Sequence, residues 1–170
     1  QYLEPQQTPD GRTFWLRTTK VPLRNPEGEV IGVLGVYEDF TERRGVEAQL
    51  RKLSLAVEQS SESIVITDLQ GRIEYVNEAF VLSSGYTREE AIGSNSRMLR
   101  SGQTPPETYV QLWQTLLQGQ RWRGEFINRH HDGHHYVEQA TITPLRQPDG
   151  RISHYVAVKV DVTDKQRIAA

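Results

Sequence analysis

The chain of 170 residues is 36% hydrophobic and 25% charged, and its formal charge is −2 at pH 7. These values indicate a folded globular protein, and the lack of a basic run argues against a nucleic-acid partner. The absence of cysteine excludes disulfides, thiolate metal sites and cysteine nucleophiles. No apolar run reaches the roughly 18 residues of a membrane-spanning helix, so we expect a cytoplasmic location without membrane insertion.

One stretch of the sequence occurs twice. Asp10-Gly11 is repeated as Asp132-Gly133, and Asp39-Phe40-Thr41 as Asp161-Val162-Thr163, in each case 122 positions later. A repeat of this length has the size of a domain and predicts a tandem duplication. We therefore expect four parts: the C-terminal strands of an upstream domain at residues 1–41, a linker helix at 42–60, a complete domain at 61–163 and the start of an output helix at 164–170.

The first 40 residues alternate between turn-forming residues as strands do. Strands are predicted at residues 13–23 and 30–37, on either side of the turn Asn25-Pro26-Glu27-Gly28. A hairpin of this kind cannot bury its inner face alone.

From Thr41 onward the apolar period becomes helical. Thr41 is placed as an N-cap, and Val46, Leu50, Leu53 and Val57 follow at spacings of four, three and four residues. This stripe either packs on a flanking sheet or forms the seam of a parallel dimer, and the two uses are compatible.

The complete domain opens with a predicted hairpin of two strands, at residues 63–67 and 72–76. Asn77 is placed as the cap of a short helix at 78–84, which Gly85 ends. This arrangement predicts a tight turn from the second strand into the helix.

Two further helices begin with Thr-x-x-Glu capping boxes, at Thr87 and at Thr104. The second of them is predicted to run to Gln118, and Gly119 ends it. Three strands follow, at residues 122–130, 136–145 and 152–161. The order of elements indicates an α+β domain, a five-stranded antiparallel sheet with the helices on one face.

The strands of the last third of the chain resemble a known family. Trp122-Arg123-Gly124-Glu125-Phe126, the turn Asp132-Gly133 and Val158-Lys159-Val160-Asp161-Val162-Thr163 are similar to the C-terminal half of PAS sensor modules in bacterial signalling proteins. The resemblance covers about residues 55–165, and residues 1–41 look like the end of a preceding PAS domain. It implies a pocket between the sheet and the short helices, which holds a flavin, haem or small acid in some members.

Residues 93–100, Gly-Ser-Asn-Ser-Arg-Met-Leu-Arg, resemble the LOV photoreceptor motif Gly-x-Asn-Cys-Arg-Phe-Leu-Gln. Ser96 stands at the cysteine position, which excludes the light-driven thiol adduct, and Arg100 replaces the glutamine. The likeness to FAD-type redox-sensing PAS domains of nitrogen-fixation and methane-oxidation regulators is closer. It rests on the segment Ser101-Gly102-x-Thr104-Pro105, on Trp113 and on Trp122.

Alternation along the strands predicts which side chains share one face of the sheet. By resemblance to LOV domains, Asn128, Glu138 and Lys159 occupy the strand positions that meet the polar edge of a flavin ring. No metal-binding or catalytic residue is assigned. The candidate cofactor-binding residues are Asn95, Ser96, Arg97, Trp113, Trp122, Phe126, Asn128, Glu138 and Lys159.

A second interpretation reverses the two faces of the sheet. Glu138 and Lys159 then form an ordinary ion pair across the strands, and the residues that face the core are Val156, Val158, Val160 and Val162.

Four histidines flank Asp132-Gly133, which has the form of a two-residue hairpin turn. In such a turn His131 faces His134, and His130 faces His135. Two exposed imidazoles make half of a zinc site, so a solvated turn is the favoured interpretation.

Together these features predict a sensory module that binds FAD and passes its redox state through helical linkers to an output domain. The resemblance implies a histidine kinase or a diguanylate cyclase as the output. We expect a homodimer through the linker helices and no catalysis by this chain. The alternative is a PAS domain without cofactor that serves in dimerisation or interaction.

Overall fold

The computed structural model describes residues 2–165. The chain divides into two compact units, the first ending at Ser54 and the second beginning at Leu55. Thr163, Asp164 and Lys165 are helical, and the remainder of the predicted output helix lies outside the described residues. Among the described helices, none is long and apolar enough to cross a membrane.

The first unit contains a three-stranded antiparallel sheet in the order β1-β2-β3, with β1 at Tyr2–Gln7, β2 at Thr13–Arg24 and β3 at Val30–Asp39. Helix α1, Thr41–Glu58, follows and crosses from the first unit into the second. Apolar side chains along β3 are largely exposed, as expected for strands that cannot bury an inner face alone.

The start of α1 differs from the prediction. Thr41 is the first helical residue, and its hydroxyl accepts a hydrogen bond from the backbone N–H of Trp15 at 2.8 Å instead of capping the helix. The carboxylate of Asp39 accepts from the N–H of Thr41 at 3.0 Å. The Thr41 hydroxyl therefore bonds the backbone N–H of Trp15 on β2 and not an N–H of the first turn of α1.

The second unit contains a five-stranded antiparallel sheet in the order β5-β4-β8-β7-β6, and helices are gathered on its inner face. The predicted α+β class is confirmed. The strands are β4 (Ser63–Thr67), β5 (Ile73–Val76), β6 (Trp122–Arg129), β7 (His135–Arg146) and β8 (Ile152–Asp161).

Asn77 connects the first hairpin to the first short helix, α2 (Glu78–Ser84). Its side-chain oxygen accepts from the backbone N–H groups of Phe80, at 3.2 Å, and of Ile64, at 2.9 Å. Its amide nitrogen donates to the carbonyls of Val57 and Glu62. The predicted cap is confirmed. Asn77 is fully buried, and its side chain also connects the end of α1 to β4 through hydrogen bonds.

The remaining helices are α3 (Arg88–Ala91), a 3-10 helix (Ser96–Leu99) and α4 (Pro106–Leu117). Thr87 forms both bonds of its capping box, as predicted. The capping box predicted at Thr104 is wrong. The Thr104 hydroxyl instead bonds the backbone N–H of Ile127 at 2.9 Å and its carbonyl at 3.1 Å, so α4 begins later and has no side-chain cap.

Two apolar clusters form the core of the second unit. One joins the first hairpin to α2, α3 and the 3-10 helix, and it contains Val65, Ile73, Val76, Phe80, Ala91 and Leu99. The other joins α4 to β6, β7 and β8, and it contains Leu112, Leu116, Trp122, Phe126, Ala140 and Tyr155. The space between the clusters is where the candidate site lies.

Candidate functional site

A cavity separates the two core clusters above the inner face of the sheet. The space between its lining atoms is about 830 Å³, including the part that opens to solvent. Its walls are mostly apolar, as is typical of small-molecule and cofactor sites. The apolar walls come from β4, β5, β6 and β8 and from α4, and they include Val65, Ile73, Leu112, Leu116, Phe126 and Ala157.

A buried polar network lies at the sheet side of the cavity. The amide nitrogen of Asn128 donates to Oε2 of Glu138 at 2.7 Å, and Nζ of Lys159 donates to the same oxygen at 3.2 Å. Asn128, Glu138 and Lys159 are 4%, 1% and 7% exposed, respectively. A buried ion pair of this kind is costly to break from one side, because the remaining charge loses its partner in a poorly solvated place.

Strand register explains why these three side chains meet. Glu138 lies opposite Phe126 on one side and opposite Asp161 on the other. Asn128 and Lys159 are therefore diagonal neighbours of Glu138 on the same face, within reach of long side chains. Both the predicted shared face and the predicted ion pair are present. The reversed assignment of faces is wrong along β8, because Val156 and Val158 are only partly buried and Val160 is exposed; Val162 is buried but follows the end of the strand.

The mouth of the cavity is formed by the segment that resembles the LOV motif. Asn95 caps the 3-10 helix by accepting from the N–H of Arg97 at 3.1 Å, and it donates to the carbonyl of Gln70 at 3.0 Å. The guanidinium of Arg100 lies 3.9 Å from the ring centre of Tyr109. The charged residues among the described cavity lining are all cationic, namely Arg97, Arg100 and Lys159.

Seven of the nine predicted residues line the cavity: Asn95, Ser96, Arg97, Trp113, Phe126, Asn128 and Lys159. Glu138 and Trp122 are not among the lining residues, which differs from the predicted direct contact. Glu138 lies behind Asn128 and Lys159 and holds both. Trp122 packs against Phe126, with ring centres 5.1 Å apart, and so supports the wall from behind.

Glycine at position 124 makes room for Trp122. A Cβ atom at this position would lie 2.3 Å from the indole ring, closer than real carbon contacts allow. The tryptophan can therefore fold over its own strand only because residue 124 has no side chain.

Two hydroxyls next to the polar network were missed by the predicted set. Among the described residues, Ser63 and Tyr136 carry the buried side-chain oxygens that have no hydrogen-bond partner. Ser63 lies opposite Lys159, and Tyr136 lies opposite Asn128. Burial, with a smaller contribution from Glu138, raises the pKa of the Tyr136 phenol. Tyr136 lies two residues before Glu138 on the same strand, so strand alternation puts the two side chains on one face, and that pattern was the available signal.

The histidine hairpin has a longer turn than predicted. His130 pairs with His134, since its N–H donates to the carbonyl of His134 at 2.8 Å, and Arg129 pairs with His135. The predicted facing pairs, His131 with His134 and His130 with His135, are therefore wrong. Gly133, with φ of 99°, takes a left-handed position that adds one residue to the turn.

Together, the fold and the cavity define a small α+β module with an internal pocket. The PAS fold family matches residues 51–162, and a second family described as PAS fold matches residues 1–45. The chain belongs to the PAS fold family.

The similar proteins include regulators and receptors. The chain is 44% identical over 107 residues to the nitrogen fixation regulatory protein of Klebsiella pneumoniae, covering 63% of this chain and 22% of that protein. It is 36% identical over 100 residues to the aerotaxis receptor of Escherichia coli strain K12, covering 59% of this chain and 20% of that protein. The chain thus spans about a fifth of the length of these relatives.

A solved structure of a Light-Oxygen-Voltage domain, from work with a flavin analogue, is similar in fold. It matches with a TM-score of 0.62 at 26% identity, covering 69% of this chain and 90% of that one.

Proposed function

We propose that the second unit is a sensory module that binds a flavin, specifically FAD, and passes its redox state to an output domain outside this chain. The observation that carries the proposal is the buried Asn128–Glu138–Lys159 network at the wall of an otherwise apolar cavity. A flavin ring needs polar groups along one edge and apolar or aromatic walls on its faces. The similarity to the regulatory protein, the receptor and the flavin-associated domain supports the same reading.

The residues of the cavity fit such a group. Asn128 and Lys159 would meet the polar edge of the ring, and Glu138 fixes the position of both. Trp113 and Phe126 would contribute aromatic wall. Arg97 and Arg100 at the mouth suit phosphate groups, because guanidinium binds phosphate through paired N–H donors.

A bound flavin supplies reversible electron transfer. The chain's own part is electrostatic: the Lys159 ammonium favours added negative charge in the cavity, and the Glu138 carboxylate responds through the shared hydrogen bond. Lys159 lies on β8, which ends just before the next helix, and Glu138 lies near the start of the neighbouring strand β7. The N–H of Val137 donates to the Thr163 hydroxyl at 2.9 Å, and the N–H of Thr163 donates to Asp161 at 2.9 Å. A shift of β7 or β8 would therefore displace the start of that helix.

The test is a visible absorption spectrum of the purified protein, with the released cofactor identified by mass. We expect a yellow protein that contains FAD, and loss of the colour in Asn128→Ala. Gln139→Ala is the matched control, since Gln139 lies on β7 next to Glu138 but is exposed. A colourless protein that takes up no added FAD would contradict the proposal.

A second candidate function rests on helix α1. Val46, Leu50 and Leu53 are 54%, 61% and 54% exposed along one stripe, as in a helix that pairs with a second copy. A PAS module without cofactor would then act in dimerisation. A colourless dimer that dissociates when Leu50 and Leu53 are both changed to Gln would favour this function.

A further inference from the structure

Five hairpin turns among residues 2–165 share one backbone arrangement. In each, the first residue donates its N–H to the carbonyl of the fifth, and a glycine at the fourth position donates to the carbonyl of the first. The turns are residues 8–12, 25–29, 68–72, 130–134 and 147–151. In three of these turns the third residue is an aspartate and the fifth residue is basic, and the two side chains form an ion pair. The pairs are Asp10 with Arg12, Asp149 with Arg151, and Asp132 with His134.

The turn at 130–134 differs from the other four because it carries histidine at both its first and its fifth position. Because His130 occupies the first position and His134 the fifth, two imidazoles flank the Asp132 carboxylate. Oδ1 of Asp132 lies 3.0 Å from Nδ1 of His130 and 2.5 Å from Nδ1 of His134. One ligand atom from each of the three residues lies within 4.8 Å of the other two.

We propose that this turn, His130-His131-Asp132-Gly133-His134, is a binding site for a divalent transition-metal ion of the zinc, nickel or copper class. Two imidazole nitrogens and one carboxylate oxygen suit these ions, and water completes the coordination. The N–H of Asp132 donates to Nδ1 of His130 at 3.1 Å, and the neutral tautomer that accepts this bond is also the one that can bind a metal through Nδ1. The bound ion replaces this hydrogen bond.

The backbone of the turn is held from outside. The N–H of His131 donates to the carbonyl of Ser84 at 2.9 Å, and the ring of His131 packs edge-on against Tyr86 at 4.7 Å. The ring of His130 covers Gly85, where a Cβ atom would lie 2.3 Å away. A site of this kind loses little backbone freedom on binding, which favours affinity.

One side-chain rotation is required. The rings of His130 and His134 are stacked, 4.4 Å apart and 21° from parallel, so their lone pairs lie in nearly parallel planes and do not converge. His134 has a side chain that is 57% exposed, whereas that of His130 is 19% exposed. His134 is therefore the ligand that turns, and His130 is the fixed one.

The first copy supplies a matched control for the experiment. Its turn at 8–12 has the same backbone hydrogen bonds but carries Thr8 and Arg12 where the second copy carries His130 and His134. The double variant His130→Thr with His134→Arg thus has side chains that this turn already accommodates, and it removes both imidazole ligands without loss of the fold.

The experiment is equilibrium dialysis of the untagged chain against Zn²⁺. We expect one ion per chain, binding at least about tenfold weaker in the double variant, and unchanged binding in His154→Ala, which removes the imidazole that pairs with Glu74. Circular dichroism verifies the fold of each variant. Equal binding by the double variant and the wild type, or no saturable uptake by the wild type below about 1 mM, overturns the proposal.

Discussion

Strands β1–β3 of the first unit and β6–β8 of the second pair at the same register, yet their inner faces carry different chemistry. Leu16 lies opposite Asp39 as Glu138 lies opposite Asp161, and the bulge at Leu23/Arg24 recurs at Leu145/Arg146. At the positions of Glu138 and Lys159 the first copy has Leu16 and Tyr37. The turns and the alternation of apolar residues therefore determine the register of the strands. The buried charges of the second copy are not needed for this register.

The largest expected effect concerns the buried ion pair. Lys159→Met leaves Glu138 charged in a place where it is 1% exposed. We expect the free energy of unfolding of the second unit to fall by about 3–5 kcal/mol at neutral pH. Urea unfolding followed by circular dichroism measures it, and a loss below about 1 kcal/mol would show that the pair is solvated.

The double variant Glu138→Leu with Lys159→Met tests this comparison, because it gives the second copy uncharged side chains at these two positions, as in the first copy. Removing both charges avoids an unpaired one, so we expect most of the lost stability to return. If the double variant is as unstable as Lys159→Met, the fold of the second copy does depend on the charges.

A smaller effect is expected at Gly124, whose counterpart in the first copy is Tyr2. Gly124→Ala forces the Trp122 ring away from its position, and we expect a loss of about 1–3 kcal/mol in urea unfolding. Gly45→Ala is the control: nothing lies within 4 Å of a Cβ there, and the better helix former should stabilise α1 by up to about 1 kcal/mol. If both variants change the free energy of unfolding in the same direction, the proposed clash is refuted.

The smallest effect concerns Glu58, the last residue of α1, which contacts two side chains of the second unit. Hydrogen bonds from Arg88, at 2.6 Å, and from Tyr75, at 2.7 Å, lower the pKa of the Glu58 carboxyl. The stabilisation is present above the ordinary glutamate pKa of 4.5 and is lost as the pH falls through the lowered value.

We therefore expect acidification to destabilise the wild type more than Glu58→Gln, by about 1 kcal/mol or less because the pair is partly exposed. Urea unfolding at a series of pH values measures the difference. The variant Glu89→Gln removes an exposed carboxyl nearby and should follow the wild type. Parallel pH profiles for the wild type and Glu58→Gln would rule out the contribution.

Elements that depend on local pattern were predictable from the sequence. Alternation placed Asn128, Glu138 and Lys159 on one face, and the structure brings them into hydrogen-bond contact. The Asn77 cap followed from residue type and position. The diagonal contacts of Glu138 were not predictable, because they depend on the register between three strands.

Errors arose where a side chain had a choice of partners. Thr41 and Thr104 both have the residue type of a helix cap, but each bonds the backbone of a strand, at Trp15 and Ile127. The prediction of the histidine pairs was wrong for another reason: Gly133, in a left-handed conformation, closes a turn one residue longer than the two-residue turn predicted from Asp132-Gly133. Neither competing partners nor turn length can be read from neighbouring residues alone.

The ion pair also gives the cavity an electrical direction. Lys159 lines the cavity while Glu138 lies behind it, so the pair is a fixed dipole whose positive end faces the empty space. A polar ring that enters there is oriented by this field, with its electron-rich edge toward Lys159, before any hydrogen bond forms. With Leu16 and Tyr37 at the same positions, the first copy has no such dipole.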